Sequence, residues 1–403
     1  MEVLDHTPDF RDLSFILVTH SYVDGPTEAL RDFLLKSGTR RLAYIAHPFH
    51  FAPEKKSVML LYEKGRTIKT IKSPAIPAPQ LILYPKDSVF TLLFALIAHR
   101  RYSFYVGVDP LNAALGLFLK SMGFVRYVVF YTIDYVPTRF NFRVLNSTYH
   151  AVDRFCVEHC DYTWNLSEAM TEARRREGIV GGKQIEVPLG TVPQDKQSNL
   201  SRNYEHERAV FIGHLRKGHG LELLIPAFSQ VVKKVPHAKL TIIGAGPLEQ
   251  SLRSAVRDRN LSSSVDFRGY IKNSREVKQI ISRCAFGLAP YEPTTESFTW
   301  FADPGKPKEY ISCGLPVIIT SVPRFSKEIQ KHEAGMIVQF DENDLAAAMF
   351  LLLTNQGLLD RMRLNAAELS KKYSWTNVFT RALAHTIKGI SNAQDSLSSR
   401  EYL

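Results

Sequence analysis

Cysteine is scarce in this chain, with four residues among 403, and the scarcity excludes two classes of protein. Cys156, Cys160, Cys284 and Cys313 are too few for a disulfide framework, and no pair has the C-x-x-C spacing of a zinc ribbon. Cys156 and Cys160 lie one helical turn apart, which is typical of small apolar residues on a buried helix face. We therefore expect a protein of the reducing cytoplasm.

Long apolar runs and export signals are also lacking. The longest apolar run, residues 89–98, has ten residues, whereas a spanning helix needs about 20. The N-terminal sequence MEVLDHTPDFRDL carries acidic residues before its first apolar run, unlike the basic start of a signal peptide. The sequence predicts neither a transmembrane helix nor export.

The composition is that of a globular protein of two domains. Hydrophobic residues make up 45% and charged residues 23%, which excludes a largely disordered chain. A length of 403 residues is about twice that of a usual single domain. The net charge of +11 favours phosphates, nucleic acid or an anionic membrane as partners, without choosing among them.

Short apolar segments alternate with helical patterns along both halves of the chain. The predicted strands cover residues 14–20, 42–46, 81–84, 104–108 and 127–132, and then 210–213, 239–243, 265–267, 286–289 and 316–320. Continuous apolar strands alternating with helices indicate parallel sheets covered on both faces. The sequence therefore predicts an α/β protein with two doubly wound, Rossmann-like domains.

The polar residues 192–208 lack any periodicity, and we place the linker between the domains there. The first domain then covers residues 1–191 and the second covers residues 209–373. A last helix over residues 374–390 is expected to pack back toward the first domain, followed by a polar tail over residues 391–403.

Two glycine-rich loops follow strands of the second domain. The first, FIGHLRKGHG, contains Gly213 with the cations Arg216 and Lys217, and the second, GAGP, contains Gly244 and Gly246 before a helix. Glycines allow a ligand to approach the backbone, and a helix N-terminus favours phosphate. A flexible basic turn remains the alternative interpretation of the first loop.

A predicted helix beginning near Pro304 carries Lys306 in its first turn and Glu309 three residues later. A lysine there suits a diphosphate, and a carboxylate suits the two hydroxyls of a ribose. The alternative is an ordinary surface ion pair between these two residues.

Together these motifs resemble the donor half of the GT-B nucleotide-sugar glycosyltransferases. The resemblance covers about 170 residues and rests on Gly-Ala-Gly-Pro, Arg-Gly-Tyr270, Ala-Pro-Tyr291, Gly-Lys-Pro-Lys-Glu-Tyr and Cys-Gly-Leu-Pro-Val-Ile. The spacing is most similar to the bacterial xanthan glucuronosyltransferase, and the broader pattern to the retaining family known as GT4. The resemblance implies two domains facing across a cleft, a UDP-sugar donor, Lys306 on its diphosphate and Glu309 on its ribose. Tyr270 and Tyr291 belong to the same implied donor site.

Two residues of the first domain are candidates for the general base. Asp134 follows a predicted strand, where the resemblance to the xanthan enzyme implies a catalytic aspartate, and His20 ends the first strand. A histidine titrates near neutrality without tuning, so chemistry alone favours His20. Phe301 stands where the retaining family usually has a glutamate, which favours inversion with Asp134 as base.

The partners follow from the same resemblance. The chain has no D-x-D motif, so we expect no metal or other cofactor, and positive side chains would meet the charge of the leaving group. The basic ends of two apolar stretches, residues 89–101 and 111–126, suggest an anionic membrane at the inner face of the cell and a lipid-linked glycan acceptor. Buried helices are the alternative interpretation of these two stretches. A nucleotide-sugar epimerase and a nucleic-acid-binding protein are the alternative functions.

Overall fold

The computed structural model describes residues 9–21, 25–76, 80–98, 100–194, 204–293 and 298–398, which fall into two units. The first unit contains the chain up to Pro188 together with the C-terminal segment from Trp375, and the second runs from Leu189 to Ser374. Most of the predicted linker, residues 195–203, lies outside the described residues, as does the end of the polar tail.

The first unit is built on an eight-stranded sheet in the order β4-β3-β2-β1-β5-β6-β7-β8. Its elements are β1 (Ser14–Ser21), α1 (Pro26–Lys36), β2 (Arg41–Pro48), β3 (Val58–Glu63), β4 (Arg66–Lys72), α2 (Gln80–Ala98), β5 (Tyr102–Val108), α3 (Pro110–Ser121), β6 (Val125–Thr132), α4 (Arg143–His159), β7 (Tyr162–Asn165), α5 (Glu168–Arg176) and β8 (Gln184–Glu186). The C-terminal helix α14 (Trp375–Ser398) packs against α1 in this unit. The core forms where buried residues of β1, β2, β5 and β6 meet α2, α3 and α4.

The second unit is a six-stranded parallel sheet in the order β11-β10-β9-β12-β13-β14. Its elements are β9 (Arg208–Ile212), α6 (Leu221–Lys234), β10 (Lys239–Ile243), α7 (Glu249–Asp258), β11 (Val265–Gly269), α8 (Ser274–Ser282), β12 (Phe286–Ala289), α9 (Phe298–Phe301), α10 (Gly305–Ser312), β13 (Val317–Thr320), α11 (Ser326–Lys331), β14 (Gly335–Val338), α12 (Glu342–Thr354) and α13 (Gln356–Lys372). Alternate residues of β9 enter two different hydrophobic clusters, Ala209 and Phe211 on one face of the sheet and Val210 on the other. Both faces are therefore covered by helices, as the sequence predicts.

The strand expected over residues 81–84 is wrong, because these residues belong to helix α2. The apolar run continues to residue 98, far beyond a strand, and buried positions recur at residues 83, 87, 91, 94, 95 and 98. This recurrence has the period of a helix rather than of a strand.

The first sheet is not wholly parallel, since β3 and β4 form an antiparallel hairpin at one edge. Lys64 and Gly65 form its two-residue turn with φ of 47° and 76°, values that match the twist of a hairpin. The C-terminal helix also runs on to Ser398 rather than ending at residue 390, because residues 391–398 contain no proline or glycine.

Candidate functional site

Polar side chains gather at the carboxyl ends of the strands where each sheet reverses its strand order. In the second unit this point lies between β9, which leads into Gly213, and β12, which leads into Tyr291. In the first unit it lies between β1, which contains His20, and β5, which leads into Asp109. Open α/β sheets bind ligands at such points.

Lys306 is the central side chain of the group in the second unit. It lies in the first turn of α10, as predicted, and its Nζ stands 4.6 Å from the ring centre of Phe211 and 4.9 Å from that of Tyr291. Among the residues that the structure describes, no carboxylate forms an ion pair with Lys306. The alternative interpretation from the sequence, an ion pair between Lys306 and Glu309, is not formed. Glu309 Oε1 instead lies 3.7 Å from Lys278 Nζ.

The hydrogen bonds around His219 leave the ammonium group of Lys306 without an acceptor there. Arg216 Nε donates to His219 Nε2 at 3.3 Å, so the ring hydrogen lies on Nδ1 and is donated to the carbonyl of His214 at 2.7 Å. Lys306 Nζ lies 3.1 Å from this same Nδ1, which has no lone pair left. The hydrogens of the Lys306 ammonium group therefore remain to be offered to an anion.

Burial and nearby positive charge disfavour the protonated forms of Lys306 and His219. Burial and the guanidinium of Arg216 lower the pKa of Lys306 to about 7. Burial and Lys306 lower the pKa of His219 to about 4, so this imidazole is neutral at physiological pH. A bound anion would relieve the repulsion and raise the pKa of Lys306.

Gly213 and Gly244 are needed for the close approach of these loops. Gly213 has φ of 130°, and a Cβ there would stand 2.5 Å from Lys306 Cε. Gly244 has φ of 140°, and a Cβ there would collide with the carbonyl oxygen of Gly213 at 1.9 Å. Gly246 instead packs on the backbone of Leu215, so it serves the contact between the two loops.

The other predicted donor residues differ in exposure. Arg216 and Lys217 are exposed, and Tyr270 is 73% exposed beyond the end of β11, where a ring is free to stack on a flat ligand. Tyr291 is buried beneath Lys306 and meets the ring of His219 edge-on. Burial raises the pKa of Glu309, whose side chain remains partly exposed. The sequence motifs missed His219, which stands among residues that they identified.

The titration of Lys306 predicts that the affinity for a nucleotide sugar depends on pH. Only protonated Lys306 attracts a diphosphate, and its pKa in the free protein is about 7. The affinity for UDP-glucose should be full below that value and fall up to about tenfold per pH unit above it, until the pKa of the complex is passed. Calorimetry between about pH 6 and 8.5 measures this change in affinity. Proton uptake on binding appears as a binding enthalpy that varies with the ionisation enthalpy of the buffer.

Lys306→Met is the control, because methionine fills similar space without a charge. It should bind UDP-glucose weakly with little change over the same range. An affinity of the unaltered protein that does not vary with pH would exclude the titration of Lys306 as a determinant of binding.

The first unit contains a cavity of about 320 Å³ at its own reversal point. Its walls combine aromatic rings with charged groups: Phe49, Phe51, Tyr84 and Tyr149, with His20, Asp87, Asp109, Asp134 and Arg139. Phe49 and Phe51 stack with ring centres 5.2 Å apart and are partly exposed. Aromatic walls with a few placed polar groups are typical of small-molecule sites.

Both ring nitrogens of His20 are occupied by carboxylates. Nδ1 lies 3.1 Å from Asp109 Oδ2 and Nε2 lies 3.2 Å from Asp87 Oδ2. Burial opposes protonation, but these two hydrogen bonds outweigh it and raise the pKa of His20 to about 9. Burial raises the pKa of Asp87, but its hydrogen bonds with His20 and His47 outweigh burial and hold that pKa below its usual range. At neutral pH His20 is an imidazolium without a lone pair for a further proton.

Asp134 has one anchored oxygen and one oxygen without a hydrogen-bond partner among the described residues. Its Oδ2 accepts a hydrogen bond from Arg139 at 2.8 Å, and the Arg139 guanidinium lies 5.1 Å from the ring centre of Tyr149. Its Oδ1 is buried and, among the described residues, has no hydrogen-bond partner. A carboxylate fixed in this way can accept a proton from a hydroxyl bound in the cavity.

Asp87 and Asp109 are site residues that the sequence motifs did not identify. Asp109 has φ of 76° and ψ of 159°, a conformation that is nearly restricted to glycine, and it caps α3 through a hydrogen bond from the Asn112 amide. Strained backbone of this kind is concentrated at functional sites. The signal for Asp109 was its place directly after a predicted strand and before Pro110. Asp87 lies on α2, whose first turns were expected to be a strand.

Comparison with known proteins finds a family match within the second unit. Residues 206–355 match the family model described as glycosyl transferases group 1. A poly(glycerol-phosphate) alpha-glucosyltransferase of Bacillus subtilis is 26% identical over 175 residues, which are 43% of this chain and 24% of that protein. A phosphatidyl-myo-inositol mannosyltransferase of Mycolicibacterium smegmatis is 24% identical over 204 residues, which are 49% of this chain and 50% of that protein. The chain thus spans half or less of these two relatives.

Solved glycosyltransferase structures share the fold of nearly the whole chain. Sucrose-phosphate synthase from Thermosynechococcus elongatus superimposes with a TM-score of 0.68 over 94% of this chain and all of that chain, at 18% identity. HepE from Anabaena, solved in complex with UDP and glucose, gives 0.62 over 93% and 99%, at 13% identity. The expected GT-B fold class is confirmed, while the closer resemblance to the xanthan enzyme stays a prediction.

Proposed function

We propose, from the premise that residues 206–355 form a group 1 glycosyltransferase domain, that this protein transfers a sugar from a nucleoside-diphosphate sugar to an acceptor hydroxyl. The observation that carries the proposal is the partly buried Lys306, which lies at the reversal point of the second sheet without a carboxylate partner among the described residues. A UDP-sugar is the preferred donor, which is supported by the UDP bound to a structure of similar fold.

We propose that all contacts with the donor come from the second unit. Lys306 and Arg216 meet the diphosphate, and Gly213 and Gly244 let its oxygens reach the backbone. Glu309 accepts hydrogen bonds from the ribose hydroxyls, and Tyr270 offers an exposed ring to the base. Positive charge fixed in advance at the diphosphate stabilises the leaving group as the bond breaks. We therefore propose that transfer needs no metal.

The acceptor is proposed to bind in the cavity of the first unit. Phe49 and Phe51 offer a flat apolar surface to a sugar ring, and the carboxylates offer acceptors to its hydroxyls. Asp134 is the proposed general base, because its Oδ1 lacks a partner among the described residues while Arg139 fixes its position. His20, already protonated, orients Asp109 and Asp87 instead of accepting a proton.

An inverting reaction follows from this assignment, since direct displacement needs one base opposite the leaving diphosphate. The acceptor is proposed to be a lipid-linked glycan, reached by the protein at the inner face of the cell membrane. A retaining enzyme of the GT4 type is the alternative, because the chain shares its broader pattern.

A panel of sugar nucleotides, tested for acceptor-dependent release of the nucleoside diphosphate with and without EDTA, identifies the donor. We expect one UDP-sugar to be preferred, turnover to be unaffected by EDTA, and NMR of the product to show an inverted anomeric centre.

The alternatives have different outcomes in this experiment. A retained configuration would remove Asp134 as base and favour a retaining enzyme, and a free altered sugar formed without acceptor would indicate an epimerase. Tight salt-dependent binding of random oligonucleotides without binding of any sugar nucleotide would favour a nucleic-acid-binding protein.

A further inference from the structure

Helix α2 presents two different faces. Its inner face lines the cavity of the first unit with Leu83, Tyr84 and Asp87. Its outer face exposes a row of large aliphatic side chains, each between 44% and 58% exposed: Ile82, Val89, Leu93, Leu96 and Ile97. These positions fall on one side of a helix of 3.6 residues per turn, so they form a continuous apolar stripe.

The stripe extends onto the neighbouring helix. Helix α3 packs beside α2, and Phe118 and Met122 at its end are 50% and 52% exposed. The guanidinium of Arg101 lies 3.9 Å from where a Cβ would stand at Gly123, which joins the end of α2 to the end of α3. We call these seven apolar residues the α2 surface. Contiguous exposed apolar patches of this kind mark interaction sites.

The charged side chains exposed at the end of the α2 surface are mainly positive, and Glu63, a carboxylate near Arg100, is paired with Arg41. Arg100, Arg101 and Arg126 are exposed at its end. Asp87 is the sole acidic residue between residues 80 and 101, and its side chain is buried against His20. A second copy of the chain seated on this surface would bring like charges together. An anionic surface with an apolar interior would satisfy both the arginines and the aliphatic stripe.

We propose that the α2 surface docks onto an anionic phospholipid bilayer, with α2 lying in the plane of the interface. Among the described residues no helix is long and apolar enough to cross a membrane. The inner face of α2 is also fixed to the protein core, so only its outer face enters the lipid. Docking places the cavity wall about one helix diameter, roughly 10 Å, from the headgroups. The link to a lipid-linked acceptor rests on the proposed function, whereas docking itself does not.

Flotation of the full chain with liposomes tests the docking. The vesicles contain either phosphatidylcholine alone or phosphatidylcholine with about 30% phosphatidylglycerol, at about 0.05 and 0.5 M salt. We expect flotation with the anionic vesicles that weakens at high salt, and little with the neutral ones.

Two matched pairs of variants locate the surface. Leu93→Gln with Leu96→Gln should reduce partitioning about tenfold or more, since each change removes an exposed aliphatic side chain that would enter the lipid. The same change at Leu351 and Leu364, which are exposed leucines of the second unit, should leave it unchanged. Arg100→Glu with Arg101→Glu should reduce partitioning at least about 25-fold. Arg257→Glu with Arg259→Glu makes the same charge change elsewhere and should reduce it far less.

Three results would overturn the docking. These are no flotation under any condition, equal losses in test and control variants, or a dimer in light scattering that the Leu93 and Leu96 changes dissociate. UDP binding, measured in parallel, should be unchanged in all four variants. If the unaltered protein binds UDP but does not float under any condition, the docking alone is refuted, whereas flotation without UDP binding refutes the proposed function alone.

Discussion

We expect Asp134→Asn to lower kcat about 10³-fold while the affinity for UDP stays within about twofold. Asparagine keeps the shape of the side chain and can still accept the hydrogen bond from Arg139, which lies 2.8 Å from Asp134 Oδ2. It cannot take a proton from the acceptor hydroxyl, which is the role proposed for Oδ1. Steady-state kinetics with saturating donor, together with calorimetry of UDP binding, separates the two quantities.

Glu63→Gln is the matched control for Asp134. Glu63 belongs to the same unit, is 42% exposed against 41% for Asp134, and is paired with Arg41 at 2.6 Å. It should leave kcat and the melting temperature nearly unchanged. Full activity of Asp134→Asn would remove Asp134 from the base role, and full activity that survives only at high pH would indicate another group of higher pKa.

The second large effect is expected from Lys306→Ala, which should weaken UDP binding about 100-fold and uridine binding less than about threefold. Uridine lacks the diphosphate that Lys306 is proposed to contact, so the ratio of the two losses isolates that contact. Lys306→Met should show the same ratio, because it keeps apolar packing against Phe211 and Tyr291. Competition calorimetry with both ligands measures each affinity.

Lys327→Ala removes an exposed lysine of the same unit and should leave both affinities unchanged. Equal losses of UDP and uridine in Lys306→Ala would mean that Lys306 supports the site as a whole. It would then have no specific role at the diphosphate.

The geometry of the proposed donor site was largely predictable because its residues follow strands and begin helices in short sequence motifs. Lys306 lies in the first turn of α10 as expected, and Gly213 and Gly244 have the positive φ that only glycine adopts easily. What these motifs do not specify is His219, whose hydrogen bonds to Arg216 and His214 arise only when the loop folds back.

The site in the first unit was less predictable, since its groups come from distant elements. Asp87 meets His20 across 67 residues, and it lies on a helix whose first turns were expected to be a strand. The protonation of His20 depends on both Asp87 and Asp109, so the residue type alone suggested a neutral base. The hairpin β3 and β4 adds edge strands that an alternating strand-helix pattern does not contain.

Titration of the unaltered protein with UDP, alongside uridine, by isothermal calorimetry tests the central claim most directly. The proposed donor site predicts one UDP per chain, much weaker binding of uridine, and uptake of a proton above pH 7 as Lys306 becomes charged. The absence of binding to UDP and to GDP at millimolar concentration would contradict a nucleotide-sugar site in the second unit.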